Sequence, residues 1–392
     1  MANIGIKLGN KWRWDVSPAL FCMALLYLLF AIFDMQSSTQ TGNRGAERSR
    51  AHLALLAFTG YMGAYALIHI KKINRTLIPL ILLAVWIFFT GLINHAETWD
   101  MLVQMNMSVL WILCYLFFYD YTKRGEREKQ NVYFLSVIVL LFYCVATIYY
   151  SFYAFQSYGH YTAMNIVYYA LAILPWVLIE EKGTKLFYVI VFISTFISLK
   201  RGAIIALPIM YMVKTLLDKP NRKEMIKKTV SLIGLFIGLC IAFYIVNILT
   251  DGFIAERFSI EELATGSGRS DLYLIAIGAI KDRNFIELML GSGIGSSVDL
   301  LGTGVHNEWL EMLFSYGLIG LAIYISYIVG ILTTTRRIYR INTRLGSVAA
   351  MSVALYLILS FVSTGYGGYS GVFLFGFWGY IESLSGGDAC ER

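Results

Sequence analysis

The chain has 392 residues, 58% of them hydrophobic and only 15% charged, against roughly 45–50% apolar and 25% charged in soluble globular proteins. With a mean hydropathy of +0.63, that composition excludes a soluble enzyme. The net charge of +7 reports membrane orientation in so apolar a chain, not binding to nucleic acid. The five cysteines, Cys22, Cys114, Cys144, Cys240 and Cys390, are scattered and form no CxxC or metal-ligand spacing, so neither a disulfide framework nor a metal site is indicated.

In chain order, apolar segments at about 18–34, 51–70, 76–93, 101–119, 131–155, 161–179, 185–199, 201–217, 229–249, 314–334, 346–364 and 370–384 read as helices, because about 20 apolar residues cross a bilayer core. Lys7, Lys11 and Arg13 precede the first. No small-residue cleavage site follows at signal-peptide distance, so it reads as a retained span. The expected fold class is an all-α polytopic integral membrane protein of about twelve transmembrane helices, one membrane domain covering 1–392. With the N-terminus cytoplasmic, 23 of the 32 basic residues fall on inner connections, and this bias predicts that both termini are cytoplasmic. The nine outer ones are Arg44, Arg48, Arg50, Lys200, Arg201, Arg257, Arg269, Lys281 and Arg283.

Two crossings must fit into 185–217. At 1.5 Å per residue this stretch supplies about 50 Å, against roughly 60 Å for two perpendicular spans, so a thin hairpin with Lys200-Arg201-Gly202 at its apex is predicted. Arg201 then sits in an outward-facing recess. One long helix with a charged centre is the competing reading, and it would put the basic residues Lys219 to Lys228 on the wrong side.

Residues 250–306, extending to 313 where the tenth span begins, form the one long connection, on the outer face. Long ordered loops tend to carry function. Ser270 followed by an apolar stretch predicts an N-capped helix near 270–282, too short to span and lying along the membrane or over a cavity. Gly291-Ser292-Gly293-Ile294-Gly295 superficially matches a dinucleotide fingerprint, but no strand precedes it and it falls on the outer face, so the match is discarded. The tyrosines Tyr149, Tyr150, Tyr153, Tyr158, Tyr161, Tyr168 and Tyr169 read as an interfacial aromatic belt, with a sugar-stacking platform as the alternative.

An ionisable group at membrane depth is a functional candidate. Arg201, joined by Arg269 at a helix N-terminus, offers guanidinium forks that match phosphate oxygens; the alternative is that Arg201 snorkels to headgroups and Arg269 is a solvated loop charge. His306, where the loop meets the tenth span, can take a proton from a hydroxyl near neutrality. Its neighbours Glu308 and Glu311 are candidates to orient it or to act as the base. The alternative is an interfacial histidine beside capping residues. His52, His95 and His160 also fall near the outer side, and nothing in their spacing prefers catalysis over packing.

Taken together, these residues resemble the O-antigen polymerase and O-antigen ligase superfamily of bacterial envelope enzymes. Its ligase-type pattern of His-[Asn/Ser/Gln], nine residues and Gly-x-x-Gly is met by His306-Asn307 and Gly317-Leu318-Ile319-Gly320. Ser198-Leu199-Lys200-Arg201-Gly202-Ala203 looks like the family's Ser-x-x-Arg-Gly-Ala segment at an outer hairpin, and Gly268-Arg269-Ser270 with Gly291–Gly295 resembles its central loop. The motifs cover roughly 195–325. The resemblance implies a GT-C-like, metal-independent glycosyltransferase without a cofactor, placed in the bacterial inner membrane with its active site facing the periplasm. Its donor and acceptor would be undecaprenyl-diphosphate-linked oligosaccharides, and a chain-length regulator and a flippase its partners.

Carried over by position, Arg201 and Arg269 would hold the diphosphate and His306 would activate the acceptor hydroxyl. Lys200, Ser270, Asn307, Glu308 and Glu311 are expected to bind substrate beside them. A polymerase extending lipid-linked repeats is favoured, on Lys200-Arg201-Gly202 and the Asn-Glu-Trp-Leu-Glu stretch; a ligase acting on lipid A-core is the alternative. A flippase or sugar transporter is the reading from a different class, although paired broken helices in two related halves are not apparent.

Overall fold

The computed structural model describes residues 5–8, 12–15, 18–39, 44–70, 73, 75–96, 98–159, 161–180, 184–218, 222–260, 269–363 and 366–386. Its first elements are two short antiparallel strands, β1 (Gly5–Leu8) and β2 (Trp12–Asp15), with Gly5 opposite Asp15 and Leu8 opposite Trp12. The all-α expectation missed this hairpin, in which alternating residues such as Trp12, Arg13 and Trp14 suit a two-residue period.

Everything after it is helical. The helices are α1 (Pro18–Thr39), α2 (Arg44–His69), α3 (Ile78–Ile93), α4 (Thr98–Thr122), α5 (Glu126–Tyr158), α6 (Val167–Val177), α7 (Thr184–Ile197), α8 (Arg201–Leu217) and α9 (Arg222–Leu249). Among the described residues of the long connection, the short helices are α10 (Phe253–Arg257), α11 (Arg269–Lys281), α12 (Phe285–Leu290) and α13 (Ser296–Leu301). The chain closes with α14 (Glu308–Ile341), α15 (Thr343–Val362) and α16 (Gly371–Gly386).

Each of the twelve apolar segments carries a helix, and the chain is a polytopic membrane protein. Among the described residues, six helices are by themselves long and apolar enough to cross a bilayer; the segments 19–30, 167–177, 184–197 and 236–249 are apolar but shorter. Helix α6 is the one most shortened against its expected segment, 161–179. It has 11 residues and contains Pro175, which gives a rise of only about 17 Å. All 11 residues are buried: α6 is a core helix enclosed by α5, α7, α8, α15 and α16.

The hairpin over 185–217 is present as expected. Helix α7 ends at Ile197, the chain turns at Ser198-Leu199 with Leu199 in the left-handed region (φ 53°), and α8 starts at Arg201. The turn is pinned at both sides. Ser198 accepts the Met164 N–H on its carbonyl (2.8 Å), and its hydroxyl accepts the Lys200 N–H (3.2 Å).

The C-terminal helix α16 sits at the centre, packed closely on α4 and touching α6, α14 and α15. Trp111 of α4 is fully buried and stacks on Phe375 of α16, with centroids 5.5 Å apart and planes 9° apart. Water is absent from such an interior, so each indole N–H needs a protein acceptor. Trp111 donates to the Tyr366 carbonyl (2.9 Å), Trp176 to the Phe373 carbonyl (3.1 Å), Trp378 to Ser352 Oγ (2.9 Å) and Trp86 to the Tyr316 carbonyl (2.9 Å). These bonds tie α4, α6 and α15 to α16 and the turn before it, and α3 to α14.

Packing this close needs small residues at the crossing. A methyl group on Gly379 of α16 would collide with the Tyr115 carbonyl of α4. Gly379→Val is expected to push the two helices apart and to cost about 1–3 kcal/mol, read as a lower melting temperature in detergent. An unchanged melting temperature would mean that this crossing does not hold the bundle together.

Candidate active site

The apex of the α7–α8 hairpin, the N-terminus of α11 and the loop before α14 meet around one cavity of about 650 Å³. Arg201, Arg269 and His306, separated by up to about 100 residues in sequence, all line it, together with Lys200 and Ser270. Arg201 is the first residue of α8 and Arg269 the first of α11. The cavity therefore collects two guanidinium groups and the positive ends of two helix dipoles. Ser270 lies inside the first turn of α11, not ahead of it as the expected cap.

Two lining residues were not singled out from the sequence. Arg257, at the end of α10, adds a third guanidinium, and Tyr168, the second residue of α6, adds a buried phenol. Arg257 belonged to the small set of outer basic residues, and that was its available signal. Tyr168 was absorbed into a presumed aromatic belt. The tyrosines in fact divide: Tyr149 and Tyr153 are exposed, whereas Tyr168 and Tyr169 are buried. The placement of His160 and of the Tyr158 side chain lies outside the described residues. His52 is buried near Trp99 and Tyr369, and His95 sits in the turn after α3; neither lines the cavity.

Backbone carbonyls aim the arginines. Arg201 donates to the Arg257 carbonyl at 2.6 Å, and Arg269 donates to the Val362 carbonyl at the end of α15. The Lys200 ammonium lies over the Tyr168 ring, 5.8 Å from its centroid, within cation–π range. Among the described residues no aspartate or glutamate lines this cavity. The four cationic side chains gathered here, Lys200, Arg201, Arg257 and Arg269, disfavour a metal cation and favour an anion.

The same field acts on His306, whose pKa is lowered from 6.5 by burial first and then by Arg269 and Lys200. Lys200 is lowered likewise, by burial first and then by Arg269, Arg257 and Arg201. At neutral pH the imidazole is therefore unprotonated and able to accept a proton. His306 itself is held in the left-handed region, at φ 57°, a conformation less costly for His than for most side chains. Thr303 Oγ1 lies 3.5 Å from its Nε2, and the Tyr273 hydroxyl 3.5 Å from its carbonyl oxygen.

The neighbours expected to bind substrate beside His306 do other work, and none of Asn307, Glu308 and Glu311 lines the cavity. Asn307 caps α14 by accepting the Leu310 N–H at 3.0 Å. Glu308 is buried, and its carboxylate accepts the backbone N–H groups of Tyr366 (2.7 Å) and Gly367 (3.1 Å), fastening α14 to the entry of α16. Glu311 accepts from Ser297 Oγ (2.8 Å), Ser315 Oγ (2.7 Å) and the Val305 N–H (3.2 Å). A carboxylate in a dry interior is held where donors satisfy it, and here the donors are the loop and α13, not the imidazole.

The glycine motif has an equally physical reading. Gly317, at φ 67° and ψ −170°, breaks α14 after Tyr316. The carbonyls freed there, of Phe314 and Ser315, accept the N–H groups of Ser292 (3.1 Å) and Gly293 (2.8 Å). Gly291 (φ 80°) makes this clasp fit, since a methyl group on it would stand 2.5 Å from the Ser315 carbonyl oxygen and the Gly317 nitrogen. Arg283 locks the clasp by donating to Ser292 Oγ at 2.6 Å. Gly291–Gly295 is thus a backbone clasp on a kinked helix.

This division of labour is testable by stability. Glu308→Ala leaves the buried Tyr366 amide and the neighbouring Gly367 amide without their acceptor and should cost about 2 kcal/mol or more. Lys200→Met removes one of four mutually repelling cations and should leave the melting temperature of the ligand-free protein unchanged or raised. A loss in Lys200→Met as large as that in Glu308→Ala would contradict the assignment.

Residues 186–325, about a third of the chain, match the family model Wzy_C, described as O-antigen ligase. No curated protein matches the chain. The matched segment contains the hairpin, the long connection and the kinked start of α14, hence Lys200, Arg201, Arg257, Arg269 and His306. Over that segment the chain is similar to the O-antigen ligase family.

Proposed function

We propose that the protein is a glycosyltransferase of the bacterial inner membrane, with both termini cytoplasmic and its cavity open to the periplasm, that polymerises surface polysaccharide from undecaprenyl-diphosphate-linked repeat units. The observation that carries this reading is the cationic cavity in which Arg201, Arg269 and His306 meet. A diphosphate is the anion such guanidinium forks fit best, and a neutral imidazole beside it supplies the base.

In the reaction, the acceptor sugar hydroxyl attacks the anomeric carbon of the donor glycan. The bond from that carbon to the diphosphate oxygen breaks, and its electron pair leaves with the lipid diphosphate. The hydroxyl proton passes to the His306 imidazole. Arg201 and Arg269 stabilise the charge that develops on the departing diphosphate, and such preorganised electrostatic stabilisation is commonly the largest contribution to catalysis. Apolar residues at the rim, Ile205 and Phe361, offer the lipid chain a path from the bilayer.

The description of the matching family as O-antigen ligase favours a second reading, in which the finished chain is passed to lipid A-core. Incubation of the purified protein with the lipid-linked repeat unit alone separates the two. A growing ladder of products supports polymerisation, product formed only after lipid A-core is added supports ligation, and no product under either condition rejects both. Transport of the donor without bond formation is the outcome expected of a flippase.

Arg201→Ala and His306→Ala are each expected to abolish chain extension, by 100-fold or more in rate, while leaving insertion intact. Arg269→Lys keeps the charge but loses the fork and should weaken donor binding. Full-length polymer in membranes carrying either alanine variant would defeat that residue's role.

The depressed pKa of His306 sets the pH dependence. The active, neutral form persists as pH falls through 6.5, so kcat/KM should hold at neutral pH and decline only at a midpoint below 6.5. Arg269→Gln removes one of the charges that depress it and should move the midpoint upward, whatever the loss in rate. A midpoint at or above 6.5 in the unaltered protein, or none between pH 4 and 8, would remove His306 as the base.

A further inference from the structure

Tyr168 is a buried aromatic residue on a core helix that nonetheless lines the cationic cavity. Its helix begins where the chain segment before it is bonded to the hairpin turn, through the Met164 N–H and the Ser198 carbonyl at 2.8 Å. The phenol is thereby held against the start of α8. There the backbone comes so close that a methyl group on Gly202 would collide with the Tyr168 hydroxyl oxygen; it would also stand 3.4 Å from Tyr168 Cζ and 3.2 Å from Val362 Cγ2. The N-cap residue Lys200 gives this end of α8 no side-chain cap, and its ammonium lies over the face of the same ring. The hydroxyl is therefore presented among Lys200, Arg201 and the helix end, where an anion is drawn in.

We propose that the Tyr168 hydroxyl donates a hydrogen bond to the diphosphate of the lipid-linked donor, and that Gly202 carries no side chain because that hydroxyl occupies the space a Cβ would need. The inference rests on the diphosphate reading of the cavity and adds to it a neutral donor beside the cations. A phenol donates directionally without adding to the repulsion among four positive groups. It also accounts physically for the glycine that follows Arg201: any larger residue there would displace the hydroxyl from the helix end.

The test uses the full-length protein in detergent, titrated with farnesyl diphosphate as probe, with melting temperatures showing that each variant is folded. Tyr168→Phe keeps the ring beneath Lys200 and loses only the oxygen. It should weaken farnesyl diphosphate roughly tenfold or more, as expected for a hydrogen bond to a charged group. Gly202→Ala should weaken it similarly, by displacing the hydroxyl. Because phenylalanine lacks the oxygen the methyl group would strike, adding Gly202→Ala to Tyr168→Phe should cost less than about a further twofold. This non-additivity is what a shared interaction produces, and a mere packing role would not.

Binding of Tyr168→Phe within twofold of the unaltered protein overturns the proposal, even if Gly202→Ala fails to fold. Independent, multiplying losses in the two variants overturn the link between Gly202 and the hydroxyl. Arg201→Gln tells the two levels apart. If it abolishes binding while Tyr168→Phe does not, only the tyrosine's role falls; if it has no effect, or the unaltered protein does not bind the probe, the diphosphate reading falls with it.

Discussion

Four positive side chains around one cavity oppose their own assembly. Lys200, Arg201, Arg257 and Arg269 share a space lined, among the described residues, by no carboxylate, and each loses hydration there while repelling the others. The pKa values of Lys200 and His306 are lowered by burial first and by that field second. A fold keeps such an arrangement only where the surrounding structure over-determines it, and the strain that results is what an anion relieves on entering. On the proposed diphosphate reading, affinity for a doubly charged group and the cost of keeping these cations together are two aspects of one interaction.

The scaffold supplies that over-determination mostly through backbone groups. The hairpin turn is pinned by Ser198, and the Arg201 and Arg269 guanidinium groups are aimed by the carbonyls of Arg257 and Val362. The kink at Gly317 and the clasp from Ser292 and Gly293 fix where α14 begins, and so where His306 stands. Glu308 and Glu311 serve the same end with their carboxylates. Inside a membrane bundle a free carbonyl or N–H is costly. A broken helix there must hand its freed groups to a neighbour, and that neighbour becomes fixed with it.

Much of this was legible in the sequence because it is a matter of lengths and charges. Twelve apolar segments, the thin hairpin at 185–217 and the short helix near 270–282 follow from residue counts against bilayer thickness and from an apolar stretch closed by charged residues. Arg201, Arg269 and His306 stood out because ionisable groups are rare where the chain is otherwise apolar. The illegible parts depend on which way side chains turn. Nothing in the pattern around Glu308 and Glu311 tells whether a carboxylate beside a histidine faces it or faces backbone amides 58 residues away. Tyr168 resembles every other aromatic residue near a membrane boundary until the close approach of Gly202 is seen. The shortness of α6 was hidden because its flanks, 161–166 and 178–179, carry no charged residue.

The most direct test of the central claim is a cryo-electron microscopy structure of the protein in lipid nanodiscs with undecaprenyl diphosphate bound. The account predicts density for the diphosphate within hydrogen-bonding distance of both Arg201 and Arg269, with the His306 imidazole on the side from which an acceptor hydroxyl would approach. Diphosphate density elsewhere on the protein, with the cavity between these residues left to solvent, would contradict it.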